Sequence, residues 1–230
     1  MKSIALLVST CDSYSFLWDN FKTLISKNIP IEKKYSCSET LSIGENYIPF
    51  NTNTAAWSDR LINALKRIEE EYIFFVLEDY YMTKKILSAE IDSILDTMID
   101  KNLDKFLLQN GGNMPHTYKT YEMIGVDGVE KQISSCDYYG SFMLVNQSPY
   151  LTSLQPAVWK REALLGCLEK NWTPWDFEIK GTHKASTMNI NILMYYLDEV
   201  YFNACRKGKT LSPGWDEVKR AHNLKELKLL

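Results

Sequence analysis

The sequence predicts an α/β fold with a mostly parallel β-sheet flanked by helices and a small antiparallel extension in the C-terminal half. Strand-like and helix-like segments alternate along most of the chain, which is typical of parallel sheets. Two runs, Ile4 to Val8 and Tyr72 to Leu77, are apolar without interruption, as expected of strands buried on both faces. From Met114 to Gln147 the pattern changes to short, tyrosine-rich strands, which predict the antiparallel extension.

The remaining elements follow from local patterns. Helices are predicted where apolar residues recur every three to four positions, at residues 16–25, 57–68, 87–99 and 159–168, from 174 past 179, and from 216 onward. Shorter strands are predicted at residues 34–38, 105–109 and 199–202. Residues 40–53 are predicted to form a loop with a short strand. Thr173 and Pro174 mark a helix start, as an N-cap followed by an N1 proline.

Length and composition indicate one soluble globular domain. The chain has 230 residues, 45% of them apolar and 24% charged. Its net charge of −3 argues against a general nucleic-acid binder. No apolar run is long enough to span a bilayer, and the first run lacks the features of a signal peptide, so we expect a cytoplasmic protein. Five cysteines without a CxxC pair and three scattered histidines predict neither a disulfide framework nor a zinc site.

Polar residues directly follow the two clearest strands. Thr10 and Asp12 come after the first, and Glu78 and Asp79 come after the second. Ligands of open parallel sheets bind outside the carboxyl ends of the strands. Two carboxylates beside a buried strand need water, a partner or a cation, and Mg²⁺ is commonly held by such acids together with substrate phosphates. The alternative is a strand end whose acids meet water or cap the next turn.

Several segments together resemble the GT-A glycosyltransferase core. They are Thr10-Cys11-Asp12-Ser13, Trp57-Ser58-Asp59-Arg60 and Leu77-Glu78-Asp79-Tyr80-Tyr81. The segments Ser153-Leu154-Gln155-Pro156-Ala157-Val158-Trp159 and Trp172-Thr173-Pro174-Trp175-Asp176-Phe177-Glu178 resemble parts of small bacterial transferases that build capsule or other surface polysaccharides. The resemblance implies a single domain, with a nucleotide-sugar-binding half at 1–113 and an acceptor-binding half with a C-terminal helix at 114–230.

The resemblance also implies roles in donor binding. Asp12 would lie near the base or ribose and Arg60 near the base or diphosphate, while Glu78 and Asp79 would contact the diphosphate through Mg²⁺ or Mn²⁺, with Asp79 as metal ligand. Adjacent acids depart from the usual Asp-x-Asp pattern, so metal-independent catalysis stays open. Local alternatives are a helix N-cap for Asp12 and a surface ion pair for Arg60. Lys207 and Lys209 could neutralise the leaving diphosphate, or form a solvated face.

A transfer with inversion needs a base for the acceptor hydroxyl. We prefer Asp176 for this role and keep Glu178 as the alternative, although acids in a first helical turn also interact favourably with the helix dipole. Trp175 could stack on a sugar ring or anchor the core. Tyr139, Gln155 and Trp175 are the predicted acceptor-binding residues.

The sequence therefore predicts a glycosyltransferase that uses a nucleotide-sugar donor and a saccharide or lipid-linked acceptor. A lipid-linked acceptor would bring the protein to the inner face of the membrane. The apolar side of the last helix would pack either within the chain or across a homodimer. The alternatives are a sugar-phosphate nucleotidyltransferase, which usually has a glycine-rich basic loop that is missing after Val8, and a non-catalytic carbohydrate-binding protein.

Overall fold

The centre of the protein is an eight-stranded mixed sheet. The computed structural model describes residues 3–52, 56–108, 142–145, 150–195, 200–206 and 210–228. Its strands are β1 (Ile4–Ser9), β2 (Lys34–Cys37), β3 (Ile48–Pro49), β4 (Tyr72–Leu77), β5 (Tyr80–Met82), β6 (Lys105–Leu107), β7 (Phe142–Val145), β8 (Ala157–Lys160), β9 (Ile192–Tyr195), β10 (Tyr201–Asn203), β11 (Cys205–Arg206) and β12 (Thr210–Leu211). The large sheet has the order β3-β2-β1-β4-β8-β6-β9-β7, and β10-β5 and β11-β12 form two antiparallel ribbons.

Seven α-helices accompany the strands among the described residues. They are α1 (Trp18–Asn28), α2 (Trp57–Arg67), α3 (Ser88–Asp100), α4 (Arg161–Gly166), α5 (Pro174–Asp176), α6 (Thr182–Thr187) and α7 (Trp215–His222). A 3₁₀ helix at Asp12–Leu17 precedes α1, and a π-helical turn at Phe177–Gly181 joins α5 to α6. The predicted N-cap is confirmed, because the Thr173 hydroxyl accepts a hydrogen bond from the amide of Asp176.

The core lies on both faces of the sheet. Leu6 and Val8 of β1 pack in one apolar cluster with residues of α1 and α3, whereas Ala5 and Leu7 pack in a second cluster with residues of α2 and α4. Neighbouring strand residues point to opposite faces, so an uninterrupted apolar strand serves both clusters. Burying each large apolar side chain contributes about 1.5–3 kcal/mol. The mostly parallel sheet flanked by helices is therefore confirmed.

One antiparallel strand of the large sheet, β8, was not predicted. β8 is inserted between β4 and β6 and runs antiparallel to both. It includes Trp159, which was predicted to begin a helix; α4 starts only at Arg161. Trp159 is fully buried, and pairing with two strands outweighs its local helical pattern. The other reversed strand of the large sheet, β7, is the only described part of the predicted tyrosine-rich extension.

The C-terminal helix is shorter than predicted. It ends at His222, because Asn223 adopts the left-handed conformation with φ of 53°, a common helix stop. Leu224 and Leu227 lie beyond the helix and are buried in the cluster that contains α1. Leu224 and Leu227 thus pack within the chain. None of the described helices combines the length and hydropathy needed to cross a membrane.

Candidate active site

A cavity opens where the topology of the sheet reverses. β1 lies between β2 and β4, so the chain crosses from one side of β1 to the other, with α1 and α2 packing in opposite apolar clusters. Such a switch point leaves a crevice at the carboxyl ends of the strands. The cavity there has a volume of about 380 Å³, within the range of small-molecule sites. It is lined by Ser9, Thr10, Cys11, Tyr14, Trp57, Arg60, Leu77, Glu78, Asp79, Tyr80, Leu154, Pro174, Trp175, Glu178, Asn203 and Cys205.

The two predicted acids form the tight turn between β4 and β5. Glu78 is 6% exposed and accepts a hydrogen bond from the Thr10 hydroxyl. The same Thr10 oxygen accepts a hydrogen bond from Trp18 Nε1 at 2.9 Å, which fixes its orientation. Burial raises the pKa of Glu78 well above its ordinary value, and the neighbouring Asp79 charge raises it further. The turn therefore holds two carboxyl groups whose charge is costly without a ligand.

Asp79 offers an oxygen that lacks a protein partner. Its main-chain carbonyl accepts a hydrogen bond from Ala204 N at 2.7 Å, which ties the turn to the C-terminal ribbon. Its buried Oδ1 has no hydrogen-bond partner among the described residues. Burial raises the pKa of Asp79 to about 7, and the charge of Glu178 acts in the same direction. Asn203 Oδ1 is also buried without a partner in that part of the chain. Unsatisfied acceptors of this kind favour a bound cation or a ligand that donates hydrogen bonds.

Glu178, and not Asp176, lies in the wall of the cavity. Its Oε1 accepts a hydrogen bond from Leu154 N at 3.0 Å. Asp176 lies outside the lining residues, in a capping box with Thr173 and in an ion pair with Lys180. Lys180 and the Thr173 hydrogen bonds hold the pKa of Asp176 below its usual range. Of the two candidate bases, the structure brings Glu178 and not Asp176 to the cavity.

Arg60 is buried at the edge of the cavity and forms an ion pair with the partly exposed Glu39. Its Nη2 lies 2.8 Å from Glu39 Oε1, and its side chain is 7% exposed, so the surface-pair alternative is wrong. Asp12 does not line the cavity and is not the N-cap, which is Cys11. Its carboxylate instead accepts hydrogen bonds from the amides of Thr40 and Leu41, while its own amide donates to Glu39 Oε2 at 2.6 Å. Asp12 thus fixes the loop that carries the partner of Arg60.

The other predicted site residues separate into three groups. Thr10 and Trp175 line the cavity, and the Trp175 side chain is 59% exposed. Gln155 is half-buried beside Leu154 and does not line the cavity. The predictions for Lys207, Lys209 and Tyr139 lie outside the described residues.

Two contributors were missed by sequence reasoning. Glu39 follows β2 closely, and Asn203 ends β10, so both stand at strand ends. Applying the strand-end rule to the weaker parallel strand β2 would have pointed to Glu39, whereas β10 belongs to an antiparallel ribbon, to which the rule does not apply.

The acidic turn presents two carboxylates to the cavity. Within the described ranges no group of three or more His, Cys, Asp or Glu side chains could hold a metal ion. Glu78 and Asp79 supply two carboxylates, and Asp79 Oδ1 is unsatisfied. Mg²⁺ is commonly bound by one or two carboxylates together with substrate phosphates, so these residues fit such an ion.

Comparison with solved structures defines the class of fold. No protein-family model and no curated protein sequence matches the chain. The crystal structure of S. aureus TarS residues 1–349 in complex with UDP-GlcNAc is similar, with a TM-score of 0.56 and 16% sequence identity over 96% of this chain and 65% of that one. The chain has a GT-A-like α/β fold. It spans 39% of the longer TarS structure, which matches with a TM-score of 0.55.

Two nucleotidyltransferases also have similar structures. The 2-C-methyl-D-erythritol 4-phosphate cytidylyltransferase of Thermus thermophilus gives a TM-score of 0.51 at 6% identity, over 96% of this chain and 98% of that one. CMP:2-keto-3-deoxy-manno-octonic acid synthetase, solved with CTP, gives a TM-score of 0.50 at 12% identity, with coverage of 96% and 98%. These similarities concern the fold, which the two kinds of enzyme share.

Proposed function

We propose that the protein transfers a sugar from a nucleotide-sugar donor to a saccharide or lipid-linked acceptor. The observation that carries this proposal is that Glu78, Asp79 and Glu178 line one cavity at the switch point of the sheet. Their distribution suits a transfer, because two acids lie at a strand end and the third lies on a separate helical segment. One group can bind the leaving diphosphate while the other acts on the acceptor.

The donor is proposed to bind along β1 and β4. Thr10, Arg60 and the acidic turn lie on that side of the cavity, and the similar S. aureus TarS binds UDP-GlcNAc and UDP. Asp79, supported by Glu78, would hold Mg²⁺ or Mn²⁺. When bound there, such an ion neutralises charge on the diphosphate and makes it a better leaving group. Lys207 and Lys209 are proposed to assist at the same diphosphate.

Glu178 is proposed as the base. Leu154 N holds its Oε1, which leaves Oε2 to take the proton from the acceptor hydroxyl. The acceptor oxygen then forms a bond to the anomeric carbon as the bond from that carbon to the diphosphate oxygen breaks, and the electron pair leaves with the nucleoside diphosphate. Attack from the side opposite the leaving group inverts the anomeric centre. Trp175, half exposed in the cavity wall, is proposed to stack on the acceptor sugar.

A sugar-phosphate nucleotidyltransferase is the second candidate, because the two similar nucleotidyltransferases are matched over nearly their whole length. Against it, the turn at Thr10-Cys11-Asp12-Ser13 contains neither glycine nor lysine to hold a triphosphate. A non-catalytic carbohydrate-binding protein is disfavoured, because acids shut off from any pocket would have favoured it. Both acids line the cavity.

Calorimetric titration with UDP-, GDP-, CMP- and dTDP-sugars, with and without Mn²⁺, tests the proposal. We expect one donor class to bind and to be hydrolysed slowly in the absence of acceptor. If none of these nucleotide sugars binds, with or without Mn²⁺, the transferase proposal is overturned. Release of pyrophosphate from a nucleoside triphosphate and a sugar phosphate would instead establish the nucleotidyltransferase.

A further inference from the structure

Lys105 is a fully buried lysine that does not line the cavity. It lies in β6 with 1% of its surface exposed. Its Nζ donates hydrogen bonds to Leu151 O at 2.9 Å, to Ser153 O at 3.1 Å and to Ser153 Oγ at 3.4 Å. The ammonium also lies 4.7 Å from the centre of the Trp159 ring. All three hydrogen bonds end on the turn formed by residues 151–154, which we call the 151–154 turn.

Burial of this amine is unfavourable, so the position calls for a physical reason. Desolvation lowers the pKa of Lys105 to about 7, while Cys167 and Glu178 act in the opposite direction. The charge of Lys184 lowers the pKa of Cys167, and the charge of Asp104 raises it. An apolar side chain of similar length would fill the same space without the desolvation penalty. Both main-chain acceptors can be satisfied by the two N–H groups of a neutral amine, so the anchoring does not require the charged form.

The 151–154 turn is bonded to the segment that carries Glu178. Leu154 N donates to Glu178 Oε1 at 3.0 Å, and the Thr152 hydroxyl donates to Phe177 O at 2.6 Å. Thr152 N donates to the Thr182 hydroxyl at 3.2 Å, just beyond the π-helical turn. The 151–154 turn is therefore hydrogen-bonded to the first residue of the π-helical turn, to Glu178 and to the residue that follows the π-helical turn. A displacement of the turn would be transmitted directly to the Glu178 carboxylate.

We propose that Lys105 is a positioning residue that fixes Glu178 through the 151–154 turn. The catalytic consequence rests on the proposed function, in which Glu178 takes the acceptor proton. Lys105 itself touches neither donor nor acceptor. A misplacement of a reacting group by about 1 Å can reduce a rate by about 100-fold, so an anchor outside the cavity can control turnover.

Amide hydrogen exchange tests the anchoring without any substrate. Lys105→Met keeps the length of the side chain and removes its hydrogen bonds. Arg161→Met is the matched control, because Arg161 also donates to two main-chain carbonyls, those of Glu70 and Leu65, on a different part of the chain. We expect the Leu154 amide to exchange at least tenfold faster in K105M and at the wild-type rate in R161M. Unchanged exchange in K105M would overturn the proposal.

A double-mutant cycle tests the catalytic consequence. We expect K105M to lower kcat at least tenfold while the dissociation constant of the donor stays within twofold. In a Glu178→Gln background the same substitution should lower kcat less than twofold, because the group that it positions is already removed. Equal losses in both backgrounds would show general destabilisation and overturn the proposal.

A second variant and a comparison of two wild-type measurements distinguish failure of the anchoring from failure of the proposed function. Should K105M fail to fold, Thr152→Val cuts the next link of the same path and is expected to give the same exchange and the same non-additive kcat. Retained exchange protection and kcat in T152V would contradict the path. If the wild-type protein transfers no sugar, the proposed function fails, while the exchange of the Leu154 amide still decides whether Lys105 anchors the turn.

Discussion

Asp176 Oδ1 lies 2.8 Å from Lys180 Nζ, one helical turn away, and Asp176 Oδ2 accepts hydrogen bonds from the amide and hydroxyl of Thr173. Both oxygens of Asp176 are therefore engaged in holding the start of a helix. For Glu178, two residues later, the described residues provide one side-chain contact of this kind, the hydrogen bond from Leu154 N to Oε1. The two acids differ in what remains free to react.

The first prediction concerns the base. Glu178→Gln keeps the hydrogen bond from Leu154 but cannot take a proton, so kcat for transfer should fall about 100-fold or more. Asp176→Asn is the matched control, and it should lower kcat less than about threefold because Asp176 lies outside the cavity. Steady-state kinetics with a saturating donor measures both. The reverse order of effects would restore Asp176 as the base.

The second prediction concerns the acidic turn. Asp79→Asn keeps the shape of the side chain and removes its charge, so transfer should fall about 100-fold. The free energy of unfolding at pH 8 should not decrease, because the charge of Asp79 is unfavourable where it lies. Mn²⁺ should tighten donor binding to the wild type and not to D79N, as measured by calorimetry. The exposed Asp92→Asn on α3 should behave as the wild type; tightening by Mn²⁺ that persists in D79N would remove Asp79 as a metal ligand.

A third prediction concerns the ion pair between Arg60 and Glu39. Arg60→Met should weaken donor binding about tenfold and lower the free energy of unfolding by about 1–3 kcal/mol, because it leaves Glu39 without a charged partner. Lys66→Met, on an exposed position of the same helix, is the control and should change neither quantity. Urea titration and calorimetry measure the two effects. An R60M variant with wild-type donor affinity and wild-type stability would contradict the role of Arg60 in donor binding and its role in stabilising the fold.

Trp175 provides a fourth prediction. Because its side chain is 59% exposed, Trp175→Ala should change the free energy of unfolding by no more than about 0.5 kcal/mol. The KM for the acceptor should rise about tenfold, with the donor dissociation constant unchanged. Ile179→Ala, at a position that is 65% exposed and outside the cavity lining, is the control. An unchanged acceptor KM in W175A would remove the stacking role.

The fifth prediction is the effect of Lys105 on stability as a function of pH. Its pKa is about 7 in the folded protein and 10.5 ordinarily, so between these values the unfolded chain binds the additional proton. The free energy of unfolding should therefore rise with pH through this group, by up to about 1.4 kcal/mol per pH unit. Urea titrations at several pH values from 7 to 9 give the free energy of unfolding. This free energy should rise less steeply with pH in K105M than in the wild type. Equal slopes would mean that Lys105 titrates normally.

Local sequence patterns predicted the elements that form the cavity edge. β1, β4 and α2 have strong apolar patterns, and the strand-end rule located Thr10, Glu78 and Asp79 at the cavity. Whether Asp176 or Glu178 lies at the cavity could not be predicted in this way. Residues two apart on a helix differ by about 200° in direction, so only one of Asp176 and Glu178 can face a given side, and a π-helical turn changes the direction again.

Non-local pairing explains the other errors. Trp159 lies in a strand because β8 pairs with β4 and β6. Both strands are distant in sequence, so the residues around Trp159 could not reveal this pairing. Asp12 was predicted to lie near the donor or to cap a helix, and its carboxylate accepts hydrogen bonds from Thr40 and Leu41 of a separate loop. The early end of α7 had a local signal in Asn223, a residue that tolerates the left-handed conformation.

The hydrogen bond from Ala204 to Asp79 has a consequence for the order of folding. It joins the acidic turn to a ribbon near the other end of the chain, as the pairing of β5 with β10 does beside it. Contacts between distant parts of a chain form slowly, because a long loop must close first. The cavity should consequently be completed late, and recovery of donor binding during refolding would report the finished molecule. A fragment that ends after β6 would contain Glu78 and Asp79 and still lack the part of the cavity wall formed by Leu154, Pro174, Trp175, Glu178, Asn203 and Cys205.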